Sequence, residues 1–348
     1  MYLNLTRQMK ICITLISAAL ILIVAILAVV SGGKRDIKAK SRIYYQYFDT
    51  VSVIYDYSGA SEEAFGIAAD EFEARLERLH KLFDIYNEYE GMNNIATINR
   101  MAGVAPVEVE KEVIDLLEFA VEMYDVTDGN VNVAMGSVLS LWHYYREKGK
   151  EIPPAAELAE AAEHIDISKL QIDREAGTVF LSDPKASLDV GAIAKGYSAE
   201  LIADQLRALG YYHYVIDLGG NLRAIGTKAD GSSWRTGIQN PDTSSSEPYV
   251  YYLQVADTSV VTSGDYQRYY IVDGKKYHHI ISKDTLMPAE YFSSVTVMIE
   301  DSGVADALST ALFNMSYEDG VRILASFDNV SVVWVTVDGQ LLTYGLEE

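Results

Sequence analysis

The stretch Val295-Thr296-Val297-Met298-Ile299, followed closely by Gly303-Val304-Ala305-Asp306-Ala307-Leu308-Ser309-Thr310-Ala311-Leu312-Phe313, decides the fold. The first part reads as a strand; the second, built of small and apolar residues, reads as a helix. In that helix Asp306 and Thr310 stand four apart, so a carboxylate and a hydroxyl share one face. Two hard oxygen ligands side by side suit Mg²⁺. The pair also has a plainer reading, in which Thr310 bonds back to a backbone carbonyl and Asp306 is an early-helix carboxylate.

Upstream, Lys276-Tyr277-His278-His279-Ile280-Ile281 reads as a strand whose alternation sends the two imidazoles to opposite faces, so only one can serve a site. A histidine general base and a satisfied surface histidine both fit. The other histidines, at 80, 143, 164 and 213, are scattered, and no cysteine follows Cys12, so a zinc site lacks ligands. Ser263 in Ser263-Gly264-Asp265 is not flanked as in a strand-to-helix elbow, and a hydrolase triad is rejected.

The segment Ser187-Leu188-Asp189-Val190-Gly191-Ala192-Ile193-Ala194-Lys195-Gly196-Tyr197 passes from strand through a glycine-bounded turn into a helix ending near Leu209. An acid, glycines, a lysine and a helix start together are what a phosphate-bearing ligand uses, and they also occur in ordinary turns. The spacing is neither Walker A nor a dinucleotide fingerprint.

The rest alternates irregularly. Residues 44–57 (YYQYFDTVSVIYDY) read as a first strand and Ser58-Gly59-Ala60 as a turn. Ser61 starts a helix with Phe65, Ala68, Phe72, Leu76, Leu79 and Phe83 at helical spacing. A short helical turn at 95–101, a helix at 111–126, the loop 127–136 and a helix carrying Leu139, Trp142 and Tyr145 follow. Next come a hairpin at 170–181, the strand 214–218 stopping at Gly219-Gly220-Asn221, and short strands to Ile281. A helix near 317–326 and a strand pair near 330–344 end the chain. Without a repeat or strict βα alternation, this predicts an α+β body.

The chain has 348 residues, 49% of them apolar, enough for a substantial core. Residues 11–30 (ICITLISAALILIVAILAVV) carry no charge and are long enough to span a bilayer, which predicts an N-terminal transmembrane anchor over residues 1–31. A basic linker over 32–43 and a single body over 44–348 complete the organisation. Taken literally, the positive-inside rule applied to Lys34, Arg35, Lys38, Lys40 and Arg42 keeps the C-terminal side in the cytoplasm. Net charge is −22; the first 42 residues hold seven basic residues and one acidic, so the remainder carries 21 basic and 49 acidic, a net −28. Such a body repels nucleic acid and anionic lipid. It can form no disulfide, since the single cysteine lies in the apolar run.

Taken together, the segment 187–197, Asp217-Leu218-Gly219-Gly220-Asn221, Thr262-Ser263-Gly264-Asp265-Tyr266, His278-His279-Ile280-Ile281 with Thr285 and Pro288, and Ala305-Asp306-Ala307-Leu308-Ser309-Thr310 resemble, in order and spacing, the ApbE-type FAD:protein FMN transferases. The likeness extends back through Trp142, Asn130 to Asn132 and Tyr86, covering nearly all of residues 45–345. It implies a membrane-attached, extracytoplasmic enzyme that splits FAD, moves FMN onto a Ser or Thr hydroxyl of a partner flavoprotein and releases AMP. It further implies Asp306, Thr310 and the Ala192 carbonyl as Mg²⁺ ligands, His279 as base, and Tyr86, Asn130, Val131, Asn132, Asp189, Lys195 and Ile281 as FAD contacts. Acceptor segments of such partners carry a Ser/Thr-Gly-Ala-Ser/Thr core, which Ser58-Gly59-Ala60-Ser61 also fits, although a turn with Ser61 as helix cap explains it. Ser282-Lys283 replaces the usual Asp-Pro, Leu286 a common Gly, Asn132 a common Asp, and Ser309 an acid found in some members. The alternatives are an FAD pyrophosphatase passing FMN to water and a non-catalytic flavin-binding protein at the membrane surface.

Overall fold

Alternation of period two runs through eight strands and sorts their side chains into two cores. The strands are β1 (Lys40–Tyr44), β2 (Ser52–Asp56), β3 (His213–Leu218), β4 (Asn221–Gly226), β5 (Ser259–Gly264), β6 (Phe292–Ile299), β7 (Ser331–Thr336) and β8 (Leu341–Tyr344). They form one antiparallel sheet whose spatial order is their chain order. Ile54, Ile216, Ile225, Val261, Val295, Val297 and Trp334 face one core; Val53, Tyr55, Val215, Ala224, Val260 and Val333 face the other. The second face is covered by the hairpin Trp234–Gln239 and Tyr249–Val255. This computed structural model describes residues 39–346; the apolar segment 11–30 and residues 32–38 of the basic linker lie outside them. Among the described residues no helix is long and apolar enough to cross a membrane.

Helices pack on the first face. The Glu62–Phe83 helix starts at Ser61, whose side chain accepts from Ala64 N–H, and buries Phe65, Ala68, Phe72, Leu76 and Leu79 at helical stride. Each large apolar side chain so buried contributes about 1.5–3 kcal/mol. The Ser302–Phe313 helix is buried almost all round because it lies between β5 and β6 below and the Ala194–Ala208 helix above. Those two helices touch at Gly196, where a Cβ would stand 2.2 Å from the Ser302 carbonyl oxygen and 2.4 Å from Asp306 Cβ. Glycine is required here by close approach.

A buried ion pair fixes the same junction to the sheet. Arg223 on β4 is fully buried; its Nε donates to Glu200 Oε2 (2.9 Å) and its Nη2 to Oε1 (3.2 Å). Glu200 Oε2 also accepts from the Ser302 N–H at 2.9 Å, so one carboxylate ties β4, its own helix and the start of the Asp306 helix.

The observed elements differ from expectation in places. The first strand is two, divided where Phe48 (φ 52°) and Asp49 (φ 50°) adopt left-handed backbone, and pairing begins at Lys40, inside the stretch read as linker. Residues 187–190 form no strand beyond a single parallel bridge of Ser187 to Met135. A helix at Ala155–Ala162, directly after Pro154, was not anticipated from the sequence. The strand Lys275–His278 pairs with Tyr269–Val272 and stops before His279. Ser61 caps its helix, and Ser58 Oγ accepts from Ala60 N–H at 3.0 Å, which is the turn reading of Ser58-Gly59-Ala60-Ser61.

Gly196→Ala is expected to cost about 1–3 kcal/mol by overpacking, read as a lower urea midpoint with unchanged slope.

Candidate active site

Asp306 sits at the junction just described, 3% exposed. Its Oδ2 accepts the Gly196 N–H at 2.8 Å and lies 3.8 Å from Lys195 Nζ. With the Asn221 amide turned so that nitrogen faces the carboxylate, Nδ2 lies 3.0 Å from Oδ1 and 3.2 Å from Oδ2. Burial raises the Asp306 pKa, against the pull of Lys195 and the Gly196 N–H. Ala192 lies just before Ile193, the N-cap of the Ala194–Ala208 helix, so its carbonyl stands outside that helix's own hydrogen-bond ladder.

Thr310 does not bond back along its helix. Its Oγ1 has Ser263 Oγ at 3.4 Å, on β5, while Ser309 Oγ donates to the Asp306 carbonyl at 3.0 Å and lies 2.8 Å from Ser263 Oγ. The plainer reading of the sequence therefore describes Ser309, and the Thr310 hydroxyl is left half-buried beside Asp306. Among the described residues no three His, Cys, Asp or Glu side chains gather as a zinc site needs. A carboxylate, a hydroxyl and a main-chain carbonyl are all hard oxygens, the donor set that fits Mg²⁺ with retained waters.

The Asp189 segment is held by two neighbours. Leu188 exchanges backbone bonds with the Asn99 side chain (2.7 and 2.9 Å), and the Asp189 N–H donates to the Val133 carbonyl at 2.8 Å. This places the 130–136 loop against the Asp189 turn, where Asp189 Oδ1 accepts from Gly191 N–H at 2.8 Å. Asn130 Nδ2 donates to the Thr127 carbonyl (3.0 Å), and Asn132 spans from the Ile165 carbonyl (2.9 Å) to Ala134 N–H (2.9 Å). Val131 and Ile281 are buried in separate apolar clusters, so only their backbone can meet a ligand. Burial raises the Asp189 pKa, opposed by Gly191 N–H and then by His143, Arg268 and Arg146.

The two histidines have different surroundings. His278 is locked: its ring Nε2 faces the Ala289 carbonyl at 2.8 Å, its Nδ1 faces Ile280 N–H at 3.2 Å, and its edge meets Phe313. His279 Nδ1 is buried with no protein partner. Burial first, then the charges of Arg268, Arg146, His278 and Lys195, lower its pKa to about 3.

Four residues here escaped the sequence reading. Arg146 and Arg268 bear on His279, Asn221 bears on Asp306, and Asp84 shapes the Tyr86 loop. Burial alone would raise the Asp84 carboxyl; bonds from Asn87, Tyr86 N–H and Tyr89 hold it low. Tyr86 projects from that loop, 65% exposed, its ring 5.4 Å from His143. Asn221 was legible within Gly219-Gly220-Asn221; the arginines carried no motif signal. A separate surface cleft is lined by Lys275, Lys276, Tyr277, His278, Pro288 and Glu290 and includes neither Asp306, Lys195 nor His279.

A model of the ApbE family matches residues 46–334. The FAD:protein FMN transferase of Treponema pallidum is 35% identical over 260 residues, 70% of this chain and 71% of that protein. The FAD:protein FMN transferase of Klebsiella pneumoniae is 31% identical over 275 residues, 78% of this chain and 84% of that protein. The crystal structure of the ApbE protein of Thermotoga maritima superposes with a TM-score of 0.77 at 27% identity, covering 88% of this chain and 96% of that one.

In the ligand-free protein the His279 ring is expected to stay neutral well below pH 6.5, as followed by NMR titration. Between about pH 6.5 and about 3 the unfolded chain binds a proton here that the folded chain refuses. Stability from this residue therefore falls as pH falls, and His279→Asn is expected to remove that share of acid sensitivity.

Proposed function

The chain belongs to the ApbE family, and from that premise we propose that it transfers FMN from FAD to a Ser or Thr hydroxyl of a partner flavoprotein, releasing AMP. The observation that carries this reading is the meeting, around one junction, of a buried carboxylate, a lysine and an unpartnered imidazole nitrogen. Asp306, the Thr310 hydroxyl and the Ala192 carbonyl would hold Mg²⁺, which when bound neutralises phosphoryl charge. Lys195, on the same helix as Gly196, adds a fixed cation beside the diphosphate. Asp189, Tyr86, the Asn130-Val131-Asn132 loop and the Ile281 backbone line the dinucleotide.

The transfer balances simply. The acceptor oxygen bonds to the FMN phosphorus, the bond from that phosphorus to the bridging oxygen breaks, and AMP leaves with that oxygen. The acceptor proton passes to His279. A ring of pKa about 3 is a weak base, but its weakness comes partly from nearby cations. An anionic diphosphate among those cations offsets them and raises the ring's proton affinity. His279 thus becomes a competent base when substrate is in place.

Ser58-Gly59-Ala60-Ser61 lies at the end of β2 opposite Thr50, whose side chain packs against Gly219 beside Asn221. A five-residue strand spans roughly 17 Å, so the acceptor is taken to be another protein with a Ser/Thr-Gly-Ala-Ser/Thr segment. The apolar segment 11–30 would tether the enzyme to the cell membrane with its body extracytoplasmic; protease protection in intact cells tests that orientation.

Two substitutions test the chemistry. His279→Ala is expected to lower transfer about 10²- to 10⁴-fold while FAD binding persists, measured as fluorescent flavin on an acceptor domain. Near-normal transfer would remove His279 from the role. Asp306→Asn, which keeps an acceptor for Gly196 N–H, is expected to abolish transfer together with the rise in melting temperature that Mg²⁺ gives the unsubstituted protein. Free FMN and AMP without labelled acceptor would favour the pyrophosphatase reading instead.

A further inference from the structure

Two arginines bear on the site, one with no carboxylate partner among the described residues and one held only by an exposed carboxylate. Arg146 is half-buried, yet among the described residues it forms no ion pair with a carboxylate; its Nη2 rests 2.8 Å from His143 Nδ1. It stands one helical turn after Trp142, whose Nε1 donates to the Leu286 carbonyl at 2.8 Å. That bond pins this face of the Gly136–Lys148 helix to the turn that follows His279-Ile280-Ile281. Arg268 follows Gln267, whose side chain lies over Gly220 beside Asn221.

Arg268 is parked, not neutralised. Its Nη2 donates to the Asp49 carbonyl at 2.8 Å and lies 3.4 Å from Asp49 Oδ2, on a side chain 91% exposed. An ion pair so open to water is weak and readily exchanged. Asp49 and Phe48 are consecutive non-glycine residues in left-handed backbone, strain of the kind held at ligand-binding corners. The two guanidiniums lie in each other's field, and both bear on His279 along with Lys195. Holding like charges together in a body of net −28 makes sense only if an anion joins them.

We propose that Arg146 and Arg268 are the two arms of a clamp that grips the substrate diphosphate, across from Lys195, and sets it beside His279. Forked guanidiniums suit phosphate oxygens better than point charges do. Resting on the FAD reading of the site, the clamp assigns two positioning residues to it. Asp49 is the holding partner that Arg268 leaves when the diphosphate arrives.

The test uses the full chain in Mg²⁺, with three probes: FAD, riboflavin and inorganic pyrophosphate. Arg146→Gln and Arg268→Gln are each expected to weaken FAD and pyrophosphate about 10- to 100-fold, leaving riboflavin unchanged. Arg→Lys at either position should restore part of the loss, and Asp49→Ala should tighten FAD, because Arg268 then has no carboxylate to leave. Unchanged pyrophosphate affinity in both Gln variants, equal losses for riboflavin and pyrophosphate, or an unsubstituted protein indifferent to pyrophosphate overturns the clamp. Pyrophosphate binding that depends on the arginines, in a protein that labels no acceptor, supports the clamp and strikes only the transferase reading.

Discussion

The contact between the Gly196 N–H and the Asp306 carboxylate is the constraint on which the site depends. Two helices must approach until a backbone donor on one reaches a side chain on the other, and a single methyl group at residue 196 forbids it. Helix packing and site geometry are thus one feature: closing the junction fixes the Asp306 carboxylate against the first turn of the helix that carries Lys195. Glu200 reinforces it from below by binding both buried Arg223 and the first N–H of the Asp306 helix.

Charge is arranged against the average of the molecule. A body with 49 acidic and 21 basic residues gathers Lys195, Arg146 and Arg268 around one imidazole. Two carboxylates in their field, Asp306 and Asp189, have pKa values raised by burial, so each is electrostatically undersupplied with positive charge. Buried acids that want a cation and guanidiniums that want an anion stand close together. A cation and a polyphosphate bound together satisfy both, whereas either alone leaves one set unpaired.

Much of this was written in local sequence. The Asp306 helix, the helix from Ser61 and the 170–181 hairpin follow from periodicity, because each depends on neighbours three, four or two residues away. The sheet's simple order was hidden, since more than 150 residues separate β2 from β3, which pair in space. The break in the first strand was missed because Phe48 and Asp49 are neither glycine nor asparagine, the residues that announce left-handed backbone. Arg146 and Arg268 left no signature because isolated arginines usually solvate a surface, and only the tertiary fold turns them toward His279.

The departures at residues 282–286 show how a site tolerates altered letters. Ser282 is buried, and its hydroxyl accepts the Asp284 and Thr285 N–H groups at 3.3 and 3.4 Å. That is turn capping, which an aspartate performs in the same place by the same geometry, so the exchange to serine keeps the turn and removes a charge. Leu286 carries φ 58°, a conformation natural to glycine and costing a leucine about 1 kcal/mol or more. The cost is offset where Leu286 packs against the Trp142 cluster and its carbonyl receives the indole N–H. The turn therefore still fixes the backbone just after His279, because its hydroxyl cap and the indole bond hold the chain at residues 282 and 286.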